Sequence, residues 1–271
     1  MKQSASIIIT NYNKEKYIKK SLKSCFNQDY PKTEIILVDN YSTDKSIKII
    51  KNFKKTILIL RKKKFKSSSD NQLDSILFAL KKAKGDLIFL LDSDDYFKKD
   101  KVSSMIKYFD INKNINFITD IPIEVSKGKR KFFSFSDRND IYKIWPTIFQ
   151  TSSIVFRKNF IKKIFRYIKV DKFHMLEVDF RLCVLANILA KKKTFMNNSF
   201  TFYTQDTNGI MSNYKKFSMN WWQKRHQAHL FLLTILKKFN INKQVSLDYY
   251  LTKMIFYLNL LLFSLFTKNK K

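Results

Sequence analysis

The run Leu87-Ile88-Phe89-Leu90-Leu91 is apolar throughout and stops abruptly in three carboxylates within four positions, Asp92, Asp94 and Asp95. A short continuous apolar run with these flanks reads as a buried strand. Carboxylates are not tolerated unpaired in a core, so the strand must deliver them to an edge where a cation can meet them. In open α/β sheets that edge lies outside the carboxyl ends of the strands and is where ligands bind. Asp92-Ser93-Asp94 supplies hard oxygen ligands at a spacing that suits a divalent cation bound together with phosphates. A solvated acidic turn would leave the same trace, and the rest of the chain decides between the two.

Upstream, Ser4 to Thr10 is β-branched and apolar, a second buried strand, and Asn11-Tyr12-Asn13 ends it. Lys14 to Asn27 places Tyr17, Ile18, Leu22, Cys25 and Phe26 at helical spacing. Glu34 to Val38 is a strand ending in Asp39, Ser42-Thr43-Asp44 caps a helix through Ile47, Ile50 and Phe53, and Ile57 to Leu60 is a short strand. Asp70 to Lys84 is helical, with Gly85 as its expected C-cap. This alternation predicts an α/β fold, a Rossmann-like, mostly parallel sheet flanked by helices. Further along, Asp100 to Asp110 reads as a helix, and Ile115 to Ile118 and Ile121 to Val125 as short strands. Gly128 to Lys131 reads as a basic turn, Thr151 to Phe156 as a strand, Glu177 to Ala190 as a helix and Phe200 to Tyr203 as a strand.

From Tyr214 the texture turns helical and aromatic, with one helix ending near Phe239 and another from Leu247 to Phe266. The expected division is an α/β unit over 1–212 and a helical C-terminal extension over 213–271. In Met254 to Phe266 only Asn259 and Ser264 are polar, and Lys268-Asn269-Lys270-Lys271 follows. That is short of the roughly 18–20 apolar residues of a membrane span, but an apolar segment flanked by lysines suits packing on the body, a partner or a membrane surface.

With 53 Lys and Arg against 22 Asp and Glu, the formal charge is +31, which attracts anions: nucleic acid, phosphorylated ligands or an anionic membrane. Gly and Pro number only 3 each, and a base-composition bias in the gene would produce both patterns, so only part of the charge is credited to function. The charge is spread along the chain instead of gathered in an aromatic-interleaved patch, so no nucleic-acid partner is expected. Cys25 and Cys183 give no metal or disulfide framework. With no leader-like segment after Met1, a cytoplasmic protein is the expectation, at most touching the inner face of the membrane.

Four strand ends, Thr10-Asn11-Tyr12-Asn13, Asp39-Asn40, Arg61 to Ser69 and Asp92 to Asp95, would share one edge if their strands are adjacent and parallel. Such an edge suits a nucleotide, although no G-x-G-x-x-G or P-loop is present. The stretches SIIITNYNKEKYIKKSLKSCFNQDYPKTEIILVDNYSTDKS (6–46) and AKGDLIFLLDSDD (83–95) together resemble the family 2 glycosyltransferases of the A-type glycosyltransferase (GT-A) fold. The resemblance is close over the first hundred residues and loose beyond. It implies a nucleoside-diphosphate sugar donor, a divalent cation (Mg or Mn), and transfer of the sugar with inversion to a glycan or lipid-linked acceptor in cell-surface polysaccharide synthesis.

Carried onto this chain, the resemblance gives Thr10 and Tyr12 contacts to the base and Asp39 the base's ring N–H. Asp92 falls at the ribose or metal shell and Asp94 becomes the metal ligand. Where the family reads V-D-D-G-S-T-D, this chain has Val38-Asp39-Asn40-Tyr41-Ser42-Thr43-Asp44, with a tyrosine for the glycine. The A-R-N-x-G stretch is absent, and Ser67 to Gln72 is the candidate for its donor-loop work. The family's acidic pair before a helix matches Glu177-Val178-Asp179, with Asp179 the better candidate for the base and Glu177 the second. The Tyr-Arg-x-His stretch becomes Tyr203-Thr204-Gln205-Asp206, leaving Asp206, Lys215 or Lys216 to serve the metal or diphosphate. His174 lies close to the proposed base and could line the acceptor site, against a favoured structural or exposed role, and His226 and His229 are expected to join aromatic packing around Trp221 and Trp222. The competing classes are a basic nucleic-acid or anionic-surface binding protein without catalysis, and a nucleotidyltransferase, against which the absence of a glycine-rich basic loop after the first strand argues.

Overall fold

The computed structural model describes residues 3–62, 65–132, 150–168, 172–190, 195–205, 214–242 and 245–268. In chain order the elements are β1 (Ala5–Asn11), α1 (Ile18–Phe26), β2 (Thr33–Asp39), α2 (Ser46–Lys51), β3 (Thr56–Leu60), α3 (Ser68–Lys82), β4 (Leu87–Asp92), β5 (Tyr96–Phe97) and α4 (Lys101–Ile111). They continue with β6 (Phe117–Asp120), β7 (Ile123–Ser126), β8 (Lys129–Phe132), a 3-10 turn at Thr151–Ser153, β9 (Ile154–Arg157), α5 (Lys158–Phe165) and α6 (Val178–Ala190). Last come β10 (Phe195–Met196), β11 (Thr201–Thr204), α7 (Met219–Lys238) and α8 (Leu247–Lys268).

The main sheet has the order β10-β6-β9-β4-β1-β2-β3. Its strands are parallel except β9, which runs against both β4 and β6. Because side chains alternate across a strand, β1 sends Ile8 to one face and Ile7 and Ile9 to the other. Ile8 meets a core shared with α3, α5, α6 and α7, while Ile7 and Ile9 meet one shared with α1, α2 and α4. Strands buried on both faces favour apolar residues at successive positions, which is why the centres of β1, β2 and β4 read as unbroken runs. A second sheet, β5-β11-β7-β8, stands beside the carboxyl end of β4. The fold is the mostly parallel α/β architecture expected from the sequence.

Three local expectations are corrected. The basic stretch after Gly128 is a strand, β8, paired antiparallel with β7. Lys127 and Gly128 both have positive φ, 47° and 79°, the backbone of a tight two-residue hairpin turn. Thr151 to Ser153 form a 3-10 turn ahead of the strand. Gly85 does not cap α3, whose C-cap is Ala83 in extended backbone. A Cβ on Gly85 would lie 2.4 Å from the Ser6 amide nitrogen, so the residue is there for a close approach between two backbones.

The proposed boundary at 212 lies outside the described residues. On the described side, α7 contributes Phe231, Leu232, Ile235 and Leu236 to the same core as α3, α5 and α6. His226 stacks on Phe256 at 4.6 Å, and His229 lies edge-on to Tyr249 and 2.9 Å from Asp248 Oδ2, so both histidines serve the α7–α8 contact. No helix among the described residues is long and apolar enough to cross a membrane.

Candidate active site

Register brings the strand ends together. On β1, Asn11 pairs with Asp39 of β2 and Thr10 pairs with Asp92 of β4. Asp39 is fully buried, 0% exposed. One of its oxygens accepts from the Ser42 amide at 2.8 Å, the other from Asn11 Nδ2 at 2.6 Å and Ser42 Oγ at 2.7 Å. Asn11 is also buried, and its own Oδ1 has no hydrogen-bond partner. Leaving a buried amide oxygen unpaired costs about 1–3 kcal/mol, which a ligand N–H would recover. Tyr12 and Tyr41 present exposed rings, 52% and 49%. Tyr41 has φ of 64°, the left-handed region that glycine adopts freely.

At the end of β4 the three acids have three different settings. Asp92 is half-buried and accepts from Thr10 Oγ1 at 3.3 Å and Gln72 Nε2 at 2.5 Å. Burial, then the charges of Asp94 and Asp179, push its carboxyl up to about 7. Asp94 is half-buried, with Lys14 Nζ 2.7 Å from Oδ2. Asp95 is buried and structural: Ser152 Oγ donates to it at 2.5 Å and the Thr204 amide at 2.8 Å, which ties the strand end to β11 of the second sheet. Burial and the two neighbouring acids hold its carboxyl well above the usual range.

Asp179, in the first turn of α6, lies close enough for its charge to act on Asp92. Its Oδ1 accepts from the Phe180 amide at 2.7 Å, and burial followed by the charge of Glu177 pushes its carboxyl up to about 7. Glu177 is ion-paired with Lys224 of α7. Tyr203 on β11 is raised to about 12, by burial and then by Asp95, Asp94, Asp92 and Asp179 together, and keeps its phenol proton at neutral pH. The strand ends and the start of α6 thus face one space.

That space is assembled by a buried strut. Arg181 Nη2 donates to Asp70 Oδ1 at 2.9 Å and to the carbonyls of Phe173 and Leu176, with both charged side chains fully buried. His174 Nδ1 contacts the other oxygen of Asp70, so this histidine is structural as expected. Asp206 and residues 208–212 lie outside the described residues. Three residues here carried no assigned role in the sequence, Asn11, Lys14 and Tyr203, and Gln72 was marked only as part of a stretch. Gln72 belongs to the Ser67–Gln72 stretch that the family resemblance had marked, while Asn11 and Lys14 follow directly from the polar end of β1.

Among the described residues no three His, Cys, Asp or Glu side chains are grouped to hold a metal ion unaided. The donor set still fits a divalent cation of the magnesium class. Such ions use one or two carboxylates and take their other ligands from phosphates and water. Asp92 and Asp94 offer those carboxylates, and a lysine ammonium already neutralises Asp94.

Comparison with known proteins gives the family and the fold. The sequence profile described as glycosyl transferase family 2 matches residues 6–168. A glycosyltransferase of Haemophilus influenzae is 39% identical over 108 residues, 38% of this chain and 41% of that protein. The poly(ribitol-phosphate) β-N-acetylglucosaminyltransferase TarS of Staphylococcus aureus is 35% identical over 107 residues, 39% of this chain and 18% of TarS. The matched segment therefore spans less than half of either relative. TarS residues 1–349, solved with UDP-GlcNAc, superpose with a TM-score of 0.63 at 18% identity, covering 93% of this chain and 70% of that one. A Pyrobaculum calidifontis mannosyltransferase solved with GDP-Man and Mn2+ also gives 0.63, at 15% identity, covering 95% and 70%. The fold is of the GT-A type, and with the profile matching more than half of its length, the chain belongs to glycosyl transferase family 2.

Proposed function

We propose that the chain transfers a sugar from a nucleoside-diphosphate sugar to a hydroxyl of a glycan or lipid-linked acceptor, with inversion at the anomeric carbon, on the cytoplasmic side in cell-surface polysaccharide synthesis. The observation that carries this is geometric: Thr10, Asp39, Asp92 and Asp94 share one sheet edge. The Asp70–Arg181 and Gln72–Asp92 ties bring the start of α6 to that edge, with the Asp179 carboxyl there raised by burial and then by Glu177, itself ion-paired with Lys224. A general base works best with a pKa near the operating pH. As the acceptor oxygen bonds to the anomeric carbon, the bond from that carbon to the diphosphate breaks. Asp179 takes the hydroxyl proton, and the products are the inverted glycoside and a nucleoside diphosphate. Glu177, already paired, sets the charge around Asp179.

The donor base lies against Thr10, Tyr12 and Asp39, with Asn11 Oδ1 as a further acceptor for a base N–H and the exposed Tyr41 ring available for stacking. Asp94 and Asp92 hold the divalent cation, Mg or Mn, which when bound offsets the charge of the departing diphosphate. The relatives support this reading: one is solved with UDP-GlcNAc and another with GDP-Man and Mn2+.

The test is a thermal-shift screen of uridine, guanosine and thymidine diphosphates with and without Mn. A ligand at a hundredfold its Kd adds about 2.7 kcal/mol, several degrees in Tm. Asp94→Ala is expected to keep the Tm of the free protein while losing the Mn-dependent rise and transfer. Full transfer by this variant overturns the metal assignment. No response of the native chain to any nucleotide overturns the donor site and returns it to the class of anion-binding proteins.

A further inference from the structure

The last helix, α8, is apolar on its outward face as well as where it meets α7. A helix lying on a soluble protein turns leucines inward and polar groups to water. In α8 the residues toward α7 include Asp248, held by Arg225 Nη2 at 2.6 Å, and Thr252, which is 0% exposed with no partner for its hydroxyl. The outward face carries Leu247, Tyr250, Leu251, Met254, Leu258 and Leu261 at three- and four-residue spacing, all exposed. Leu251, Leu258 and Leu261 are 47%, 51% and 59% exposed, so this is a continuous apolar stripe on the outside. Contiguous exposed stripes of this kind mark surfaces that meet a membrane or a partner.

Charge selects between the occupants. From 213 to 271 the chain has eleven Lys and Arg and one acid, Asp248, and that acid is already paired with Arg225. Lys253 is exposed among the outward leucines, and Lys237 and Lys238 are exposed at the end of α7. A second copy would bring the same excess of cations against itself, whereas an anionic surface is attracted. Tyr250 and Tyr257, both exposed, are rings of the type that settle at the headgroup level.

We infer that the outward face of α8 is a docking surface for an anionic lipid bilayer, lying in its headgroup region with the lysines at the phosphates. This goes beyond glycosyl transfer and does not depend on it, since vesicle binding without nucleotide binding would leave it standing. The experiment is co-flotation of the full chain with vesicles of phosphatidylcholine alone and of phosphatidylcholine mixed with phosphatidylglycerol, at low and high salt. The expected result is a bound fraction at least about tenfold higher on the anionic vesicles, reduced by salt, and lost in a Leu251→Glu, Leu258→Glu, Leu261→Glu variant. Circular dichroism and Tm of that variant should match the parent, because the three side chains already face outward. Lys253→Glu alone should weaken the anionic preference and leave the fold unchanged. Equal binding to both vesicle types, no binding to either, or dimerisation abolished by the same triple substitution in a chain that ignores vesicles would each overturn the inference.

Discussion

Replacing Asp179 by Asn keeps the shape of the side chain and the acceptor for the Phe180 amide while removing the charge. The carboxyl is raised from 3.8 to about 7 by burial and then by Glu177. Three units correspond to a ceiling of about 4 kcal/mol, and local relaxation around a half-buried group brings a realistic figure to ~1–3 kcal/mol. The sign follows from which state holds the proton. Between the two pKa values the folded chain binds a proton that the unfolded chain has released, so stability falls as pH rises from about 4 to about 7. Above that window the folded state carries the full penalty of a poorly compensated carboxylate, and Asn carries none. Asp179→Asn is therefore expected to be indistinguishable from the parent near pH 4 and more stable by ~1–3 kcal/mol near pH 8, roughly 2–6 °C in Tm. Turnover should fall by about 100- to 10,000-fold with donor affinity retained. The assay is differential scanning fluorimetry across pH on both proteins, paired with nucleoside-diphosphate release. A stability difference that does not vary with pH would refute the electrostatic argument, and unchanged turnover would refute the role as base.

The remaining predictions concern the residues around this group. Lys224→Met removes a cation that lowers the Asp179 pKa, so the acid limb of the rate profile should move upward by about a unit or less; activity lost at neutral pH should return as pH is raised. Tyr41→Gly should relieve left-handed strain and stabilise the chain by up to ~1 kcal/mol, while weakening nucleotide binding by about fivefold or more through lost stacking; isothermal titration and melting curves separate the two. Gly85→Ala places a Cβ 2.4 Å from the Ser6 amide nitrogen, so it should cost about 3 kcal/mol or more and lower soluble yield.

The central strands were legible because burial on both faces makes Ile7 to Ile9, Ile35 to Val38 and Leu87 to Leu91 unbroken apolar runs at the centres of β1, β2 and β4. The meeting of Thr10 with Asp92 and of Asn11 with Asp39 follows from strand order, which alternation with helices implied. Gly85 was misread because a glycine after a helix has two physical uses, and only the distance to Ser6 tells them apart. The strand Lys129–Phe132 was missed because its residues are all exposed, so no alternation of hydrophobicity marks it. The hold of Gln72 on Asp92 was out of reach for the sequence, since it links a helix and a strand 20 residues apart through the packing of one on the other.

The Asp70–Arg181 pair has a consequence for how such a site can change. Asp70 stands two residues before Gln72, which fixes Asp92, and Arg181 two residues after Asp179. In the proposed mechanism, one buried tie thus sets the separation between the half of the site assigned to the leaving group and the half assigned to the proton. Loops around it are free to drift toward new sugars and new acceptors, because the reach from one reactant to the other is gauged in the interior, where neither substrate touches it. Altering that gauge would misalign every donor and acceptor alike, so specificity and catalytic reach can evolve on separate residues.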